Sequence, residues 1–206
     1  IVPRLRHVDF LPHCIPGAAV RSSAADPIMR ILAVLVVLLS AGDLAVVYAA
    51  ATAACFRSFD GPQLTWELSD GRPGTKVVSH GCVGEDARQG SGSERVTIAA
   101  PGGESLHFVC PVGRVPVLDE LESRMWVKTN RPGVTLAARV VLPRSTDAKT
   151  GAARTTLVSG DECAVADRWQ QLRLANVPNL LAAQVRVIRA TPGAKVDAHE
   201  AYVDAI

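Results

Sequence analysis

Alternating apolar and polar positions run from Leu118 to Pro143 and predict two strands joined by a turn. One face of the first strand carries Leu121, Met125 and Val127. One face of the second strand carries Val134, Leu136, Ala138, Val140 and Leu142. Residues 130–133, Asn-Arg-Pro-Gly, have turn chemistry, because proline fixes one φ and glycine accepts a positive φ. We therefore expect a central hairpin in which Val127 faces Leu136.

The opposite face of this predicted hairpin carries a tryptophan among basic residues. Trp126 lies between Arg124 and Lys128, and Arg139 belongs to the same face of the second strand. Sugar rings stack their C–H faces on exposed aromatic rings, and arginine and lysine donate charge-assisted hydrogen bonds. The pattern therefore predicts a carbohydrate-binding surface made of Trp126, Arg124, Lys128 and Arg139. The alternative is that a second sheet or a helix covers this face, which would make Trp126 a core residue.

Short apolar stretches separated by Gly/Pro turns predict further strands. They lie at residues 56–68, 75–79, 95–100, 105–110, 155–158, 169–174 and 196–206. We expect 95–100 and 105–110 to pair as a second hairpin, with His107 on its solvent face. Val177, Leu181, Val185 and Ile188 recur at helical spacing after Asn176 and predict one helix over about 178–190, with a strand as the alternative.

These elements predict an all-β fold, an antiparallel β-sandwich or jelly roll with one short crossover helix near 178–190. The last predicted strand stops at Ile206. We therefore expect a sandwich that is truncated at its C-terminus, with an unpaired strand edge there.

Residues 29–54 have the layout of a secretory signal peptide. Met29-Arg30 precedes an apolar run that ends in small residues at Ala54, which predicts a signal peptide over 29–54 and a β-sandwich domain over 55–206. Residues 1–28 have no periodic pattern and are predicted to be a non-native or disordered upstream segment, or a long basic start of the leader. The predicted localisation is secreted or cell envelope, in the periplasm or at the cell surface. A membrane partner is expected only if the leader is retained, which Asp43 disfavours, or if Cys55 carries a lipid.

Charge and cysteine content narrow the function further. Four of the 22 Lys and Arg and three of the 20 Asp and Glu precede Cys55, which leaves 18 basic against 17 acidic residues. This balance, without any Lys/Arg run, argues against nucleic-acid binding. Export favours disulfides, and Cys82 with Cys110 is the candidate pair; unpaired thiols are the alternative. The cysteine spacing contains no CxxC pair, so zinc is not predicted.

Acidic residues near the first strand raise the hypothesis of a glycosidase. Asp119, Glu120 and Glu122 form a tight acidic cluster, and Glu120 and Glu122 are expected on one strand face, roughly 7 Å apart. Acidic pairs at strand edges are usually solvated, so we do not predict catalysis by this chain.

An F-[DE] strand, a tryptophan and an x-G-S-x-S loop follow one another in the first part of the predicted domain. They are Ser58-Phe59-Asp60, Trp66 and Gln89–Ser93. This succession resembles the opening of carbohydrate-binding jelly-roll modules. The resemblance implies a structural Ca²⁺ held by Asp60, the Gly90–Ser93 loop and a last-strand aspartate that would lie beyond Ile206. It implies no other cofactor.

Four later stretches are more specific in combination. They are Met125–Lys128 (MWVK), Arg131–Val134 (RPGV), Ala138–Arg144 (ARVVLPR) and Trp169–Leu172 (WQQL). Together they resemble a planctomycete-type family of uncharacterised secreted proteins, over residues 56–206. In that family a galactose-binding-like jelly-roll domain precedes a barrel like those of glycoside hydrolases. The resemblance implies that this chain supplies the first domain and lacks the barrel's catalytic carboxylates.

The combined patterns predict a non-catalytic, carbohydrate-binding-like accessory domain of an exported bacterial protein. Its expected partner is a polysaccharide or other glycan. A structural spacer or a protein-interaction β-sandwich without glycan binding is the alternative, and a glycosidase is the less favoured third hypothesis.

Overall fold

The computed structural model describes residues 4–12, 59, 62–70, 75–100 and 105–206, and for 4–12 it gives the backbone course only. Over these residues the chain forms eleven strands and one helix. In chain order they are β1 (Arg4–Pro12), β2 (Glu67–Asp70), β3 (Lys76–Val83), β4 (Ser93–Ala100), β5 (His107–Val109), β6 (Pro111–Pro116), β7 (Ser123–Thr129), β8 (Thr135–Thr146), β9 (Ala153–Glu162), β10 (Gln170–Leu174), α1 (Val177–Arg189) and β11 (Tyr202–Ala205). The predicted all-β class with one short helix is confirmed.

Two antiparallel sheets make up the sandwich. The first has the strand order β10-β7-β1-β4-β3, and the second has the order β6-β11-β8-β9. A short third sheet pairs β2 with β5. This architecture leaves each large sheet with one face toward the core and one face outward.

The core is built from alternate residues of strands in both large sheets. The first sheet contributes Val96, Ile98, Met125, Val127, Leu172 and Leu174, and the second contributes Leu136, Ala138, Val140, Leu142, Val158 and Val203. Each of these side chains is at most 5 % exposed. The period-two pattern therefore identified the inward faces of β4, β7, β8 and β10 correctly. Phe59 and Trp66 join the same core, whereas Leu68 is 47 % exposed.

Helix α1 follows β10 and packs against β9. Its apolar stripe, Val177, Leu181 and Val185, is buried in the sandwich core. The predicted helix over 178–190 is thus confirmed. Asn176 precedes it in a left-handed conformation with φ 56°, and no side-chain cap bond forms there. Its Oδ1 instead accepts a hydrogen bond from Asn179 Nδ2 at 2.6 Å.

The predicted central hairpin is wrong, although both of its strands exist. β7 pairs with β1 and β10, whereas β8 pairs with β9 and β11 in the other sheet. Residues 130–134 therefore carry the chain from one sheet to the other. Their backbone bonds go to a later segment, since the Gly133 amide donates to the Cys163 carbonyl at 3.0 Å and the Cys163 amide donates to the Val134 carbonyl at 2.7 Å. The alternating pattern shows which side chains face inward. It does not distinguish two strands that pair in one sheet from two strands that pack face to face in opposite sheets.

The predicted second hairpin is also wrong, because β4 pairs with β1 and β3 while β5 pairs with β2. β3 continues to Val83, four residues beyond the strand predicted at 75–79. The local hairpins are β3–β4, joined by residues 84–92, and β8–β9, joined by residues 147–152. His107 is exposed, as predicted.

The first and last strands of the chain are both internal strands of their sheets. β11 lies between β6 and β8, and the Ile206 amide and carbonyl both bond to Cys110, so the unpaired edge expected at this end is wrong. β1 lies between β4 and β7, within a segment for which the sequence predicted no element. The predicted signal peptide and Cys55 lie outside the described residues. Within the described residues, no helix is long and apolar enough to cross a bilayer.

Candidate functional site

The outward face of the five-stranded sheet carries a tryptophan among basic and polar side chains. Arg124, Trp126 and Lys128 point outward from β7, because Met125 and Val127 between them are buried. Gln171 and Arg173 of β10 lie beside them in register with Trp126 and Arg124. We call this surface, together with the β3–β4 loop that contacts it, the outer face.

Trp126 is half-buried, which is intermediate between the exposed platform and the core residue that the sequence allows. Its ring packs partly against core side chains, and the guanidinium carbon of Arg88 lies 4.7 Å from the ring centre. Such a contact is a cation–π interaction, worth roughly 0.5–1 kcal/mol at an exposed site. Arg88 is exposed and belongs to the β3–β4 loop. The loop therefore covers part of the tryptophan without burying it.

Asp86, in the same loop, ties the loop to two strands. Its Oδ2 accepts a hydrogen bond from Lys128 Nζ at 2.5 Å and lies 3.8 Å from Arg95 Nη2. The Trp169 side chain also hydrogen-bonds to this carboxylate. The hydrogen bond from Lys128 is the main cause that lowers the pKa of Asp86 below its ordinary value, with smaller contributions from Trp169 and from the charge of Arg95. Asp86 is therefore ionised and bound to its partners at neutral pH.

Glu122 forms the second carboxylate centre of the outer face. Arg173 Nη2 lies 2.9 Å from its Oε2, and Arg124 Nε donates to its Oε1. The hydrogen bonds from Arg173 and then Arg124 lower the pKa of Glu122. A glycosidase acid needs a raised pKa, so Glu122 does not fit that role. Glu120 lies in an exposed turn before β7 and not on a shared strand face with Glu122, contrary to the sequence expectation.

The structure brings together three of the four predicted carbohydrate-binding residues. Arg124, Trp126 and Lys128 share the outer face, but Arg139 belongs to β8 in the other sheet. There its guanidinium binds Asp204 of β11 at 2.8 and 3.0 Å. The expected grouping with Arg139 followed from the wrong hairpin, in which β8 would have lain beside β7. Sequence reasoning missed Arg88 and Asp86, because no strand periodicity places a loop residue over a sheet.

A buried polar cluster lies on the inward side of the β3–β4 hairpin. Glu94 is fully buried and accepts hydrogen bonds from the backbone amides of Thr65 and Trp66 at 2.8 and 3.0 Å. His80 Nε2 also contacts this carboxylate, at 2.6 Å from Glu94 Oε1. These bonds fix the segment before β2 on the sheet. The cluster is thus a structural anchor.

The described cysteines, Cys82, Cys110 and Cys163, are thiols in this structure, and the candidate Cys82–Cys110 pair is not bonded in it. Burial, and then the charge of Glu94, raises the pKa of Cys82. A raised pKa keeps the thiol protonated and poorly nucleophilic at neutral pH. Cys82 lines an open depression of about 230 Å³ together with Phe59, Pro62, Val83, Gly84, Ser91 and Gly92.

The predicted calcium site stays untested, since Asp60 lies outside the described residues. The Gly90–Ser93 loop, its other half, is engaged in packing. A Cβ on Gly92 would lie 2.7 Å from the Phe59 carbonyl oxygen, and Ser93 Oγ donates to the Asp86 carbonyl at 3.1 Å. Among the described side chains, no group of three His, Cys, Asp or Glu is placed to hold a metal ion.

Comparison with family models, with curated proteins and with solved structures found no match for this chain. The chemistry of the outer face is therefore the main structural guide to function.

Proposed function

We propose that this protein is a non-catalytic, carbohydrate-binding-like accessory domain of an exported bacterial protein, and that it binds glycan on the outer face. One observation supports the proposal most strongly. Trp126 lies on the outer face of β7, half-buried between Arg124 and Lys128, with Arg88 over its ring. An aromatic ring with polar donors around it suits a sugar, which presents an apolar ring face and a rim of hydroxyls.

Arg88 has a defined part in this proposal. It is exposed, and it contacts the ring from a loop. A sugar ring that stacks on Trp126 displaces the guanidinium sideways, where its N–H groups donate to hydroxyl or carboxylate oxygens of the ligand.

The charge of the outer face supports a preference for acidic glycans. Five basic side chains, those of Arg88, Arg95, Arg124, Lys128 and Arg173, share this surface with the carboxylates of Asp86 and Glu122 and with the nearby Asp161, so basic groups are in excess. Binding of a uronic-acid polymer should therefore weaken as salt is raised. The resemblance to planctomycete-type secreted proteins with a jelly-roll module supports both the glycan and the export. A spacer or protein-interaction domain is the alternative, which the experiment below distinguishes.

The test compares two aromatic residues in similar surroundings. Tyr202, on β11 of the other sheet, has the guanidinium carbon of Arg114 4.3 Å from its ring centre, so Tyr202→Ala is a matched control for Trp126→Ala. Retention on immobilised neutral and uronic-acid polysaccharides should fall in Trp126→Ala by roughly fivefold to 150-fold. This corresponds to about 1 to 3 kcal/mol, by analogy with base stacking. Tyr202→Ala should bind like the wild type.

Urea unfolding of both variants shows whether each is folded under the binding conditions. A wild-type protein that retains no polysaccharide, or an equal loss in both variants, contradicts the proposal. Either result leaves the spacer or protein-interaction hypothesis.

A further inference from the structure

β1 occupies an unusual place in the five-stranded sheet. It lies between β4 and β7 and is antiparallel to both, so those two strands run parallel to each other. Residues 13–58 separate β1 from the next described residue of the sandwich. A central strand is therefore supplied by a part of the chain that is remote in sequence from both of its neighbours.

The strands on either side of β1 are also held together without it. Asp9 of β1 is the backbone register partner of both Arg95 on β4 and Lys128 on β7. The Asp86 carboxylate contacts both of these basic side chains. Neighbouring strands lie about 4.8 Å apart, so this bridge spans two strands placed roughly 9 to 10 Å apart. The loop thus sets a gap that one extended strand fills.

The floor of this gap is part of the core. The inward residues that flank it are Glu94, Val96 and Ile98 on β4 and Met125, Val127 and Thr129 on β7, none more than 5 % exposed. Without a strand between them, β4 and β7 would each present a row of unpaired backbone N–H and C=O groups beside apolar core. Removal of the leader, which the sequence predicts, would remove β1 and create that state.

We propose that the space between β4 and β7 is a strand-acceptor site, which takes an extended peptide from another polypeptide in place of β1. β1 shows the chemistry of the ligand. Its backbone pairs over Arg4–Phe10 with β4 and over Val8–Pro12 with β7, and residues 7–10, His-Val-Asp-Phe, alternate polar and apolar. The ligand is thus a segment of about seven residues with alternating apolar positions, bound by β-strand addition.

The test uses the full chain with a recognition site for a specific protease inserted after Gly17. The cleaved chain is unfolded in denaturant and refolded with an excess of a fluorescent synthetic peptide of residues 4–12. The site predicts that about one peptide per chain is taken up, and that unlabelled peptide competes for it. A peptide with Val8→Pro, which lacks the central backbone N–H, should compete at least about tenfold less well.

Three results would overturn the proposal. They are refolding of the cleaved chain without uptake of label, equal competition by the proline peptide, and failure of the cleaved chain to refold with peptide present while the uncleaved chain refolds. Refolding that depends on the peptide supports the site. A concentration-dependent dimer of the uncleaved chain, in which the label no longer binds, also supports it and identifies the donor as a second copy of this chain.

Discussion

Asp86 is the residue on which the arrangement of the outer face depends. Its carboxylate accepts hydrogen bonds from Lys128 and from the Trp169 side chain, and it lies close to Arg95. The same loop places Arg88 on Trp126. Loss of the Asp86 charge should therefore loosen both the loop and the cover of the tryptophan.

The lowered pKa of Asp86 makes its contribution to stability pH-dependent. Because the folded-state pKa lies below the unfolded value of about 3.9, the contribution is fully present above that value and is lost as the pH falls through the folded pKa. Asp86→Asn should reduce the free energy of unfolding at pH 7, and the difference from wild type should shrink below about pH 4. Urea unfolding at pH 7, 5 and 3 measures it.

Asp119→Asn, in the exposed turn before β7, is the control and should stay within about 0.5 kcal/mol of wild type at each pH. A difference between Asp86→Asn and wild type that does not change with pH would mean that the Asp86 charge carries none of the effect.

At this scale the sequence predicts the orientation of a side chain but not its contacts. The outward position of Trp126 follows from the burial of Met125 and Val127, which alternation indicates directly. Its contact with Arg88 depends on how the 84–92 loop folds back over the sheet. No local pattern in the loop specifies that path.

Among the elements, β9 and β10 come unusually close to each other although they belong to different sheets. A Cβ on Gly160 of β9 would lie 2.4 Å from the Arg173 carbonyl oxygen and 2.8 Å from the Leu174 Cα, both in the backbone of β10. The absence of a side chain at Gly160 therefore lets the two sheets meet at this edge.

Gly160→Ala should lower the free energy of unfolding by about 1 to 3 kcal/mol, because the backbone of β10 must move to admit the methyl group. Gly81→Ala on β3 is the matched control, since nothing lies within 4 Å of the Cβ that it would add. Its effect should stay within about 0.5 kcal/mol, as measured by urea unfolding. Equal effects of the two substitutions would show that chain flexibility, and not close contact, is what matters.

The elements also show where sequence reasoning stops. Alternation predicted β4, β7, β8 and β10 and the faces that they bury, and helical spacing predicted α1. The same reasoning wrongly paired β7 with β8. The backbone of the connection after β7 hydrogen-bonds to Cys163 and does not close a hairpin. The residues of a turn do not indicate which distant segment their backbone groups will bond to.

At the scale of the whole molecule, the sandwich depends on pairings between segments remote in sequence. β11 lies between β6 and β8, and β1 lies between β4 and β7. The sequence predicted a last strand near Ile206 but expected it at an edge. Its two neighbouring strands lie about 60 and 90 residues earlier in the chain, so no local pattern indicates them. Class and strand faces are local properties of the sequence, whereas strand order is not.

The crossing of the chain between sheets after β7 has a consequence for the folding pathway. Each of the two large sheets contains one hairpin of strands that are consecutive in the chain, β3–β4 in one and β8–β9 in the other. Contacts between strands close in sequence form with little loss of loop entropy, so we expect these two hairpins to form early and independently. β7 and β10 then join them across the core after the transition state.

Val158→Ala, in the β8–β9 hairpin, should therefore slow refolding, whereas Leu172→Ala, in β10, should mainly speed unfolding. Stopped-flow chevrons of the two variants measure this, and the reverse assignment of rates would contradict it. Two nuclei in separate sheets also imply a period during synthesis in which half of the sandwich has formed and its core face has no partner. In this protein that interval, more than the finished fold, is when aggregation is to be expected.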